Sequence, residues 1–403
     1  MNPSYLCHAF GVRHQECTKT EYKGNQIIHY IQTRKDDLRC PECKSRKVIR
    51  SGSIYRDIRS VPVGHRETIL RMKVQRIGCK TCGCIRQEDI HFVTGKRSYT
   101  NKFARYVAGL SRIGTIKDVA LFLNISWDTV KDIQKRYLQR HYGNPDLTRL
   151  EYIGIDEFAV RKGRVYKTIV ADLLTGQVVY VGDGKGADAL DGFWKKVRKA
   201  KAAIKAVATD LSAAFISSVK ENAPDAALVF DHFHVVKLMN DTLDKLRRQA
   251  YHQEADLMKR KVLKGTRWLL LRNGEDIYDS YHRNRLENAL EMNAPLMKGY
   301  YLKESLREIW MQVTKEQAQQ VLINWVRQAQ DSKVPLLQKF AATLMAHRSG
   351  ILSWYEHHIS TGKIEGINNK IKTMKRQAYG YRDEKFFELK ILSLHHNNYA
   401  FVG

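Results

Sequence analysis

The stretch Tyr152-Ile153-Gly154-Ile155-Asp156-Glu157-Phe158 has the composition of a buried β-strand that ends in an acidic residue. Aspartate and glutamate are depleted in strands and are seldom buried without a partner, so a carboxylate that closes an apolar run needs a physical reason. A bound metal ion is one such reason. A turn or a helix cap is the other, and Asp156 taken alone fits either of them.

The same pattern occurs twice more in the α/β segment that begins near residue 150. Residues 204–210 form a short apolar strand closed by Asp210, and residues 227–231 form another closed by Asp231. The sequence also predicts strands at 152–160, 166–172 and 177–181 and a helix at 187–200. A strand, a hairpin, a crossover helix and a parallel strand describe an RNase H-like sheet, in which the fourth strand lies beside the first. Asp156 and Asp210 would then converge at neighbouring strand ends, although each of the three aspartates could still be an N-cap.

Two carboxylates at one sheet edge can bridge two Mg²⁺ ions about 4 Å apart, an arrangement that serves in-line displacement at a phosphodiester. Because Mg²⁺ prefers oxygen ligands, the third ligand should also be an acid. Residues 361–376 predict a basic helix with a stripe of three isoleucines, and Glu365 lies beside that stripe. Glu365 fits the third position best, and a surface charge partner is its alternative role. The next candidates for the third acid are Glu356, Glu384 and Glu388.

The charge is the strongest global signal, because 69 Lys and Arg against 42 Asp and Glu give a formal net charge of +27. Such an excess favours a polyanionic partner, since each neutralised phosphate releases counterions. Together with 10% aromatic residues it indicates nucleic acid rather than a simple basic tail or a membrane surface. No apolar run approaches the roughly 20 residues of a membrane span, and residues 1–10 lack a signal-peptide pattern, so we expect an intracellular protein.

Four of the seven cysteines form two Cys-x-x-Cys pairs, at Cys40 and Cys43 and at Cys79 and Cys82. In an intracellular protein such pairs favour metal over disulfides. Between the pairs, residues 70–75 alternate apolar with basic or polar side chains, which predicts a strand. This pattern is typical of a zinc ribbon, in which a four-thiolate site replaces the core that a small module cannot build. Four reduced, buried cysteines are the alternative, and Cys84 lies close enough to take the place of Cys82.

Residues 99–141 predict helices with the apolar spacing of a helix-turn-helix. Asn124 would adopt a left-handed conformation in the turn in place of glycine, and Ser126 would cap the second helix. The residues of that helix expected to face DNA are Trp127, Asp128, Lys131, Gln134 and Lys135. A plain helical hairpin is the alternative. Residues 141–145 then have the composition of a linker.

Residues 241–349 predict helices rich in Lys and Arg, with Trp268, Trp310 and Trp325 among them. Exposed rings there could stack on unpaired bases. A tryptophan in an amphipathic helix is more often part of a core, so we expect these three to be buried.

In the order of its parts, nearly the whole chain resembles a bacterial insertion-sequence transposase of the DDE class, specifically of the ISL-three family. Besides the cysteine pairs and the helix-turn-helix, the matching motifs are Ile153-Gly154-Ile155-Asp156-Glu157, Ala208-Thr209-Asp210, Phe230-Asp231-His232-Phe233-His234 and Gly362-Lys363-Ile364-Glu365-Gly366-Ile367-Asn368-Asn369. One departure is Lys44, which stands where many zinc knuckles have glycine.

The resemblance implies a multidomain α/β protein. Its parts would be a zinc ribbon at 1–97, a helix-turn-helix at 98–145, and an RNase H-like catalytic domain at 146–240 and 350–403, interrupted by a helical insertion at 241–349. Asp156, Asp210 and Glu365 would be the catalytic triad and would hold two Mg²⁺ ions, and the four paired cysteines would hold one structural Zn²⁺. Asp231 and His234 would form an auxiliary Asp-x-x-His signature.

By the same resemblance, the protein would bind the terminal inverted repeats of its element, cut the ends with an activated water, and join the freed 3′-hydroxyl to target DNA. It would act on double-stranded DNA in the bacterial cytoplasm, associated with the nucleoid when bound, as a homo-oligomer that is at least a dimer. Further DNA contacts are expected from Lys370, Lys372 and Arg376. Two alternatives stay open: a catalytically inactive transposase-derived regulator, and an RNase H-like nuclease. The helix-turn-helix disfavours the nuclease, because that module reads the duplex major groove.

Overall fold

A computed structural model describes residues 3–161 and 165–396. Within them the chain forms two compact units, one that extends to Asn144 and one that covers Pro145–His396. Residues 397–403, the end of the predicted C-terminal part, lie outside the described residues. Among the helices that are described, none combines the length and apolar character that crossing a bilayer requires.

The first unit contains a five-stranded sheet with the order β1-β2-β4-β3 and β5 paired to β4. Its strands are β1 (Gln15–Lys23), β2 (Gln26–Thr33), β3 (Val48–Val63), β4 (Arg66–Cys79) and β5 (Ile85–Gln87). The predicted alternation is confirmed from 70 to 74, because Leu70, Met72 and Val74 of β4 are buried, but it breaks at Gln75, which is buried as well. They pack with Phe10, which follows the short helix α1 (Pro3–Tyr5) in a π-helical turn, and with Ile58 of β3. This module therefore has an apolar core of its own, and the expectation that zinc replaces a core is wrong.

Three helices follow in the same unit: α2 (Asn101–Leu110), α3 (Ile116–Leu123) and α4 (Trp127–Tyr142). Both predictions for the turn are confirmed. Asn124 has φ 50° and ψ 52°, the left-handed conformation, and the side chain of Ser126 accepts a hydrogen bond from the Thr129 amide as the N-cap of α4. Because α4 continues to Tyr142, the predicted linker at 141–145 starts two residues too early.

The turn of this helix-turn-helix is tied to the sheet through Glu67 of β4. Its carboxylate accepts hydrogen bonds from Asn124 Nδ2 at 2.9 Å and from Gln26 Nε2 at 3.0 Å, and it forms an ion pair with Arg59. Arg59 also donates from Nη2 to the carbonyl of Leu123 at 2.8 Å. Two charged side chains thus fix the position of the turn on the strand surface.

The second unit is built on a mixed sheet with the order β10-β9-β6-β7-β8. Its strands are β6 (Tyr152–Arg161), β7 (Val165–Asp172), β8 (Val178–Asp183), β9 (Ala206–Thr209) and β10 (Ala227–Phe230). The first three are antiparallel to one another, while β9 pairs in parallel with β6 and β10 in parallel with β9. Helices α5 (Asp191–Ala200) and α6 (Ala213–Asn222) provide the crossovers, with Phe193, Trp194 and Phe215 buried against the sheet. The predicted RNase H-like sheet is confirmed.

A helical segment follows β10. Its helices are α7 (His232–Gln253), α8 (Leu257–Gly265), α9 (Arg267–Leu271), α10 (Ser280–Glu291), α11 (Ala294–Leu306), α12 (Lys315–Asp331), α13 (Pro335–Ala346) and α14 (Arg348–Leu352). They share one apolar core that includes Phe230 at the end of β10. The predicted boundaries at 240/241 and 349/350 fall inside α7 and α14, so the insertion grows out of continuous helices. The chain then returns to the sheet with α15 (Gly362–Gln377) and α16 (Glu384–Leu392).

Candidate active site and cysteine cluster

The register of β6 and β9 sets the positions of the first two predicted acids. Gly154 of β6 lies opposite Ala208 of β9 in a parallel ladder, and neighbouring strands are about 4.8 Å apart. Asp156 and Asp210 each lie two residues beyond that pair. The two aspartates therefore lie at the same level, at the edge of the sheet where β9 ends, although Asp156 itself lies within β6 opposite Ile169 of β7.

Burial and mutual repulsion raise the pKa values of two acids at this edge. Burial raises the pKa of Asp156 to about 7, and the negative charges of Glu157 and Asp210 act in the same direction, while Lys372 opposes them. Burial also raises the pKa of Glu157, followed by the charge of Asp210. Strand alternation predicts that the side chain of Glu157 points away from that of Asp156. It nevertheless belongs to the same electrostatic cluster, because Asp210 acts on both carboxylates.

Two hydrogen bonds hold the carboxylate of Asp156. The backbone amide of Glu157 donates to Oδ1 at 2.8 Å, and Nδ2 of Asn368 donates to Oδ2 at 2.6 Å. Asn368 is only 6% exposed and lies on α15, so the contact joins the first strand to the helix that carries Glu365. Spacing does not predict this role, because an asparagine on a basic helix face has no distinctive pattern, although Asn368 lies in the matching motif at 362–369.

Helix α15 lies directly on β6. Gly154 permits this, since a Cβ at that position would lie 2.1 Å from Cδ1 of Ile364. Farther along, Nζ of Lys375 donates to the carbonyl of Ala159 at 2.8 Å. The predicted isoleucine stripe is confirmed, because Ile364, Ile367 and Ile371 are all buried.

Glu365 is exposed on this helix, one turn before Asn368. Within residues 3–161 and 165–396, the three predicted catalytic acids do not form a group whose ligand atoms all lie within 4.8 Å of one another. Two of the other candidates for the third acid form ion pairs elsewhere: Glu356 pairs with Lys315 at 2.8 Å and Glu388 with Lys167 at 3.0 Å. The sheet thus brings Asp156 and Asp210 together, and Glu365 lies on the helix packed beside them.

Asp231 is the N-cap of α7, which was its alternative role. Its Oδ1 accepts from the Phe233 amide at 2.8 Å. Its Oδ2 accepts from both the amide and the hydroxyl of Thr361, at 2.7 and 2.8 Å, and the side chain is buried. The Thr361 carbonyl in turn accepts from the Glu365 amide at 3.0 Å. Asp231 therefore fixes the start of the helix that carries Glu365, while His234 is half-buried with its ring edge-on to Phe233.

The four predicted zinc ligands come together in the first unit. Their Sγ atoms, from Cys40, Cys43, Cys79 and Cys82, all lie within 4.8 Å of one another. The separations between Cys43 and Cys79 (3.5 Å) and between Cys40 and Cys82 (3.6 Å) approach the roughly 3.8 Å edge of a tetrahedral zinc–thiolate site. The donor set therefore fits a structural Zn²⁺. Cys84 is a fifth thiol, 3.3 Å from Cys40.

The two knuckles have the same backbone geometry despite the departure at Lys44. Lys44 and Gly83 both have positive φ, 58° and 73°, and each amide donates at 3.0 Å to the carbonyl of the first cysteine of its knuckle. Nζ of Lys44 also donates to the Pro41 carbonyl at 2.8 Å and pairs with Asp89 at 2.9 Å. These contacts offset the steric cost of a left-handed lysine.

The residues predicted to face DNA on α4 differ in their exposure. Trp127 is 47% exposed, with Nζ of Lys131 at 5.4 Å from its ring centroid, and Asp128 is exposed. Lys135 is half-buried. The assignment of Gln134 is wrong, because it is 6% exposed and its amide donates to the carbonyl of Ser111 inside the helical core. On α15, the remaining predicted contacts, Lys370, Lys372 and Arg376, are exposed.

Three family profiles cover the same parts of the chain. Residues 153–391 match the ISL3 family profile described as "Transposase". Residues 88–138 match the helix-turn-helix domain of transposase family ISL3, and residues 37–82 match the zinc-finger of transposase IS204/IS1001/IS1096/IS1165. A protein with this sheet, this cysteine cluster and these matches is a DDE transposase in its domain composition. The chain belongs to the ISL3 family of transposases.

Two relatives that align over most of their length support the same family assignment. The chain is 33% identical over 374 residues to the transposase for insertion sequence element IS1001 of Bordetella parapertussis, covering 92% of each protein. It is 28% identical over 398 residues to the transposase for insertion sequence element IS1557 of Mycobacterium tuberculosis, covering 92% of this chain and 89% of that protein. The Drosophila P element transposase strand transfer complex aligns with a TM-score of 0.40 at 10% identity over 76% of this chain and 94% of that one, which adds nothing to the assignment.

Proposed function

We propose that this transposase binds the terminal inverted repeats of an insertion sequence, cuts the DNA ends and transfers the freed strands to target DNA. Asp156, Asp210 and Glu365 are its catalytic acids. The single observation that carries the proposal is the parallel register of β6 and β9, which brings Asp156 and Asp210 to one sheet edge. Family membership supports the reaction class.

The donor set at this edge suits Mg²⁺, with two ions in the proposed mechanism. Burial and mutual repulsion raise the pKa values of Asp156 and Glu157, and a divalent cation would supply the positive charge that this edge needs. Bound there, Mg²⁺ would activate the attacking oxygen and stabilise the leaving oxygen. Asp156 and Asp210 would hold the metal from the sheet, and Glu365 would complete the ligand set from α15. Asn368 keeps the Asp156 carboxylate in position.

The remaining parts serve DNA binding in this proposal. The exposed start of α4, with Trp127 and Asp128, would enter the major groove of the end sequence. The basic face of α15, with Lys370, Lys372 and Arg376, would contact phosphates near the acids. Two ends must be brought together before joining, so the active form is a homo-oligomer, at least a dimer.

A cleavage assay tests the proposal. Purified chain is incubated with duplexes that carry the ends of its element, with Mg²⁺ or with chelator, and the products are separated on denaturing gels. We expect Mg²⁺-dependent cuts at the element ends followed by joined products with target DNA. Specific binding to the ends without any cut in Mg²⁺ would instead identify a catalytically inactive regulator.

A further inference from the structure

One stretch of the helical segment, well separated in sequence from Asp210 and Glu365, has an unusual composition. Residues 257–272, which form α8 and α9, contain six Lys or Arg and no Asp or Glu. Three of its large apolar side chains are nevertheless exposed, Leu257 by 75%, Met258 by 73% and Trp268 by 68%. A basic stretch with exposed apolar side chains is not explained by packing within the segment.

Trp268 differs from the other tryptophans of this segment. Trp325 is 2% exposed and donates from Nε1 to the carbonyl of Leu302 at 2.8 Å, so the expectation of a core role is confirmed there. Trp310 is half-buried and packs against the same core, but for Trp268 the expectation is wrong. The guanidinium of Arg267 lies 4.5 Å from the Trp268 ring centroid and is itself held by Asp244, whose Oδ1 is 3.3 Å from Nε of Arg267. Arg267 covers part of the indole, and the exposure of Trp268 leaves ring surface open to a ligand.

A second pair of an arginine and an aromatic ring lies beside the first. The guanidinium of Arg285 is 5.6 Å from the ring centroid of Tyr281 on α10, and Tyr281 is 63% exposed. Arg285 packs against Gly265, where a Cβ would lie 2.4 Å from its Nη2. Gly265 ends α8 and lies two residues before Arg267, so this close approach puts the second pair beside the junction of α8 and α9, which carries the first pair.

We propose that this surface, defined as Arg267, Trp268, Tyr281, Arg285 and the lysines of α8, binds an unpaired stretch of DNA. The lysines and arginines would neutralise its phosphates, and the two rings would stack on its bases. Contact with duplex DNA alone would need the cations but not the exposed rings, because paired bases offer no free face. The inference rests on DNA as the substrate of the proposed function, since cutting and joining strands exposes unpaired nucleotides.

The test measures binding without metal, so it does not depend on catalysis. Full-length protein is titrated into a fluorescent single strand of about 12 nucleotides and, separately, into a duplex of the same sequence. Trp268→Ala should weaken single-strand binding about 5- to 100-fold and leave duplex binding within about twofold. Trp268→Phe should keep most of the affinity, because it keeps a ring. Replacing Lys259, Lys261 and Lys264 with Gln should lower the salt dependence of single-strand binding by about 2 in the log–log slope.

Tyr301→Ala is the matched control, because Tyr301 is a 60% exposed tyrosine on a different helix, α11. This variant should bind both DNAs as the unaltered chain does. If Trp268→Ala fails to fold, Tyr281→Ala makes the same test from α10. Equal losses on single strand and duplex would overturn the proposal in favour of a plain electrostatic surface. Unchanged DNA binding with an altered oligomeric state would overturn it in favour of a contact between copies of the chain. If the unaltered chain binds the single strand but does not cut the element ends in the cleavage assay above, the proposed function is contradicted and the DNA-binding role of this surface stands.

Discussion

Asn368 donates a hydrogen bond of 2.6 Å to the carboxylate of Asp156, across 212 positions of sequence. The contact orients the first proposed metal ligand from the helix that carries the third. Loss of a side chain that orients a metal ligand typically costs 10- to 100-fold in activity or metal affinity. We therefore expect Asn368→Ala to slow Mg²⁺-dependent end cleavage by about 10- to 100-fold, and Asn368→Asp to slow it further by adding a like charge.

Cleavage rates and end binding of these variants are compared with those of Thr373→Ala, an exposed change on the same helix. Binding of the DNA ends should be unchanged in all three. An Asn368→Ala rate equal to that of Thr373→Ala would mean that the contact does not position the acid.

A second prediction concerns Asp231, whose carboxylate accepts three hydrogen bonds while buried. Asp231→Ala removes the cap of α7 and leaves the amide and hydroxyl of Thr361 without their acceptor. We expect a loss of about 2–4 kcal/mol in the free energy of unfolding, measured by denaturant titration. Thr361→Val removes one of the three bonds and should cost about 1 kcal/mol. Equal stabilities of Asp231→Ala and the unaltered chain would contradict this role.

The cysteine cluster predicts one zinc ion per chain. Metal analysis of the purified protein should return one equivalent, and Cys79→Ser should lose it, with a lower thermal midpoint. Cys17→Ser, on β1, is the control and should retain the metal. Cys84→Ser should also retain it if Cys82 is the fourth ligand. Loss from Cys84→Ser but not from Cys82→Ser would exchange the two assignments, and a metal-free protein would remove the zinc assignment altogether.

Glu67 gives the N-terminal unit a defined response to acid. Burial acts to raise the pKa of Glu67, but hydrogen bonds from Arg59, Asn124 and Gln26 outweigh it and hold the pKa at about 2, below the ordinary 4.5. Since the folded pKa is depressed, the stabilisation is present above pH 4.5 and is lost as pH falls towards 2. It amounts to about 2–3 kcal/mol.

We accordingly expect Glu67→Gln to be less stable than the unaltered chain by about 2–3 kcal/mol at pH 7, with the difference shrinking below pH 4.5. Thermal unfolding across pH measures it. Asp57→Asn, which removes a more exposed pair with Arg71, is the control and should cost less than about 1 kcal/mol. A difference that does not change with pH would show that the charge of Glu67 is not the stabilising feature.

Local chemistry explains which features the sequence could predict. The left-handed Asn124, the cap at Ser126 and the cysteine knuckles depend on a few neighbouring residues, and the structure has all of them. Strands β9 and β10 end directly before Asp210 and Asp231, as their composition predicts, and the crossover rule ordered them correctly. The expectation that Asp156 closes its strand is wrong, because β6 continues to Arg161.

Local sequence patterns could not predict the features that depend on packing between distant elements. The position of α15 on β6 is fixed by contacts such as Ile364 against Gly154, so the role of Asn368 was missed. The prediction that Gln134 faces DNA failed for a related reason. Helical periodicity leaves Gln134 near the edge of the apolar stripe, and only its hydrogen bond to the carbonyl of Ser111 shows that it is buried. The share of Glu157 in the acidic cluster depends on Asp210 of a neighbouring strand.

We propose that Asp156, Asp210 and Glu365 act together at the edge of the β6–β9 pair. The most direct measurement is end cleavage in Mg²⁺ by Glu365→Ala, beside Asp156→Ala and Asp210→Ala, with binding to the DNA ends measured on the same preparations. We expect all three to abolish cleavage and to leave end binding nearly intact. Normal cleavage by Glu365→Ala would contradict it and place the third acid elsewhere.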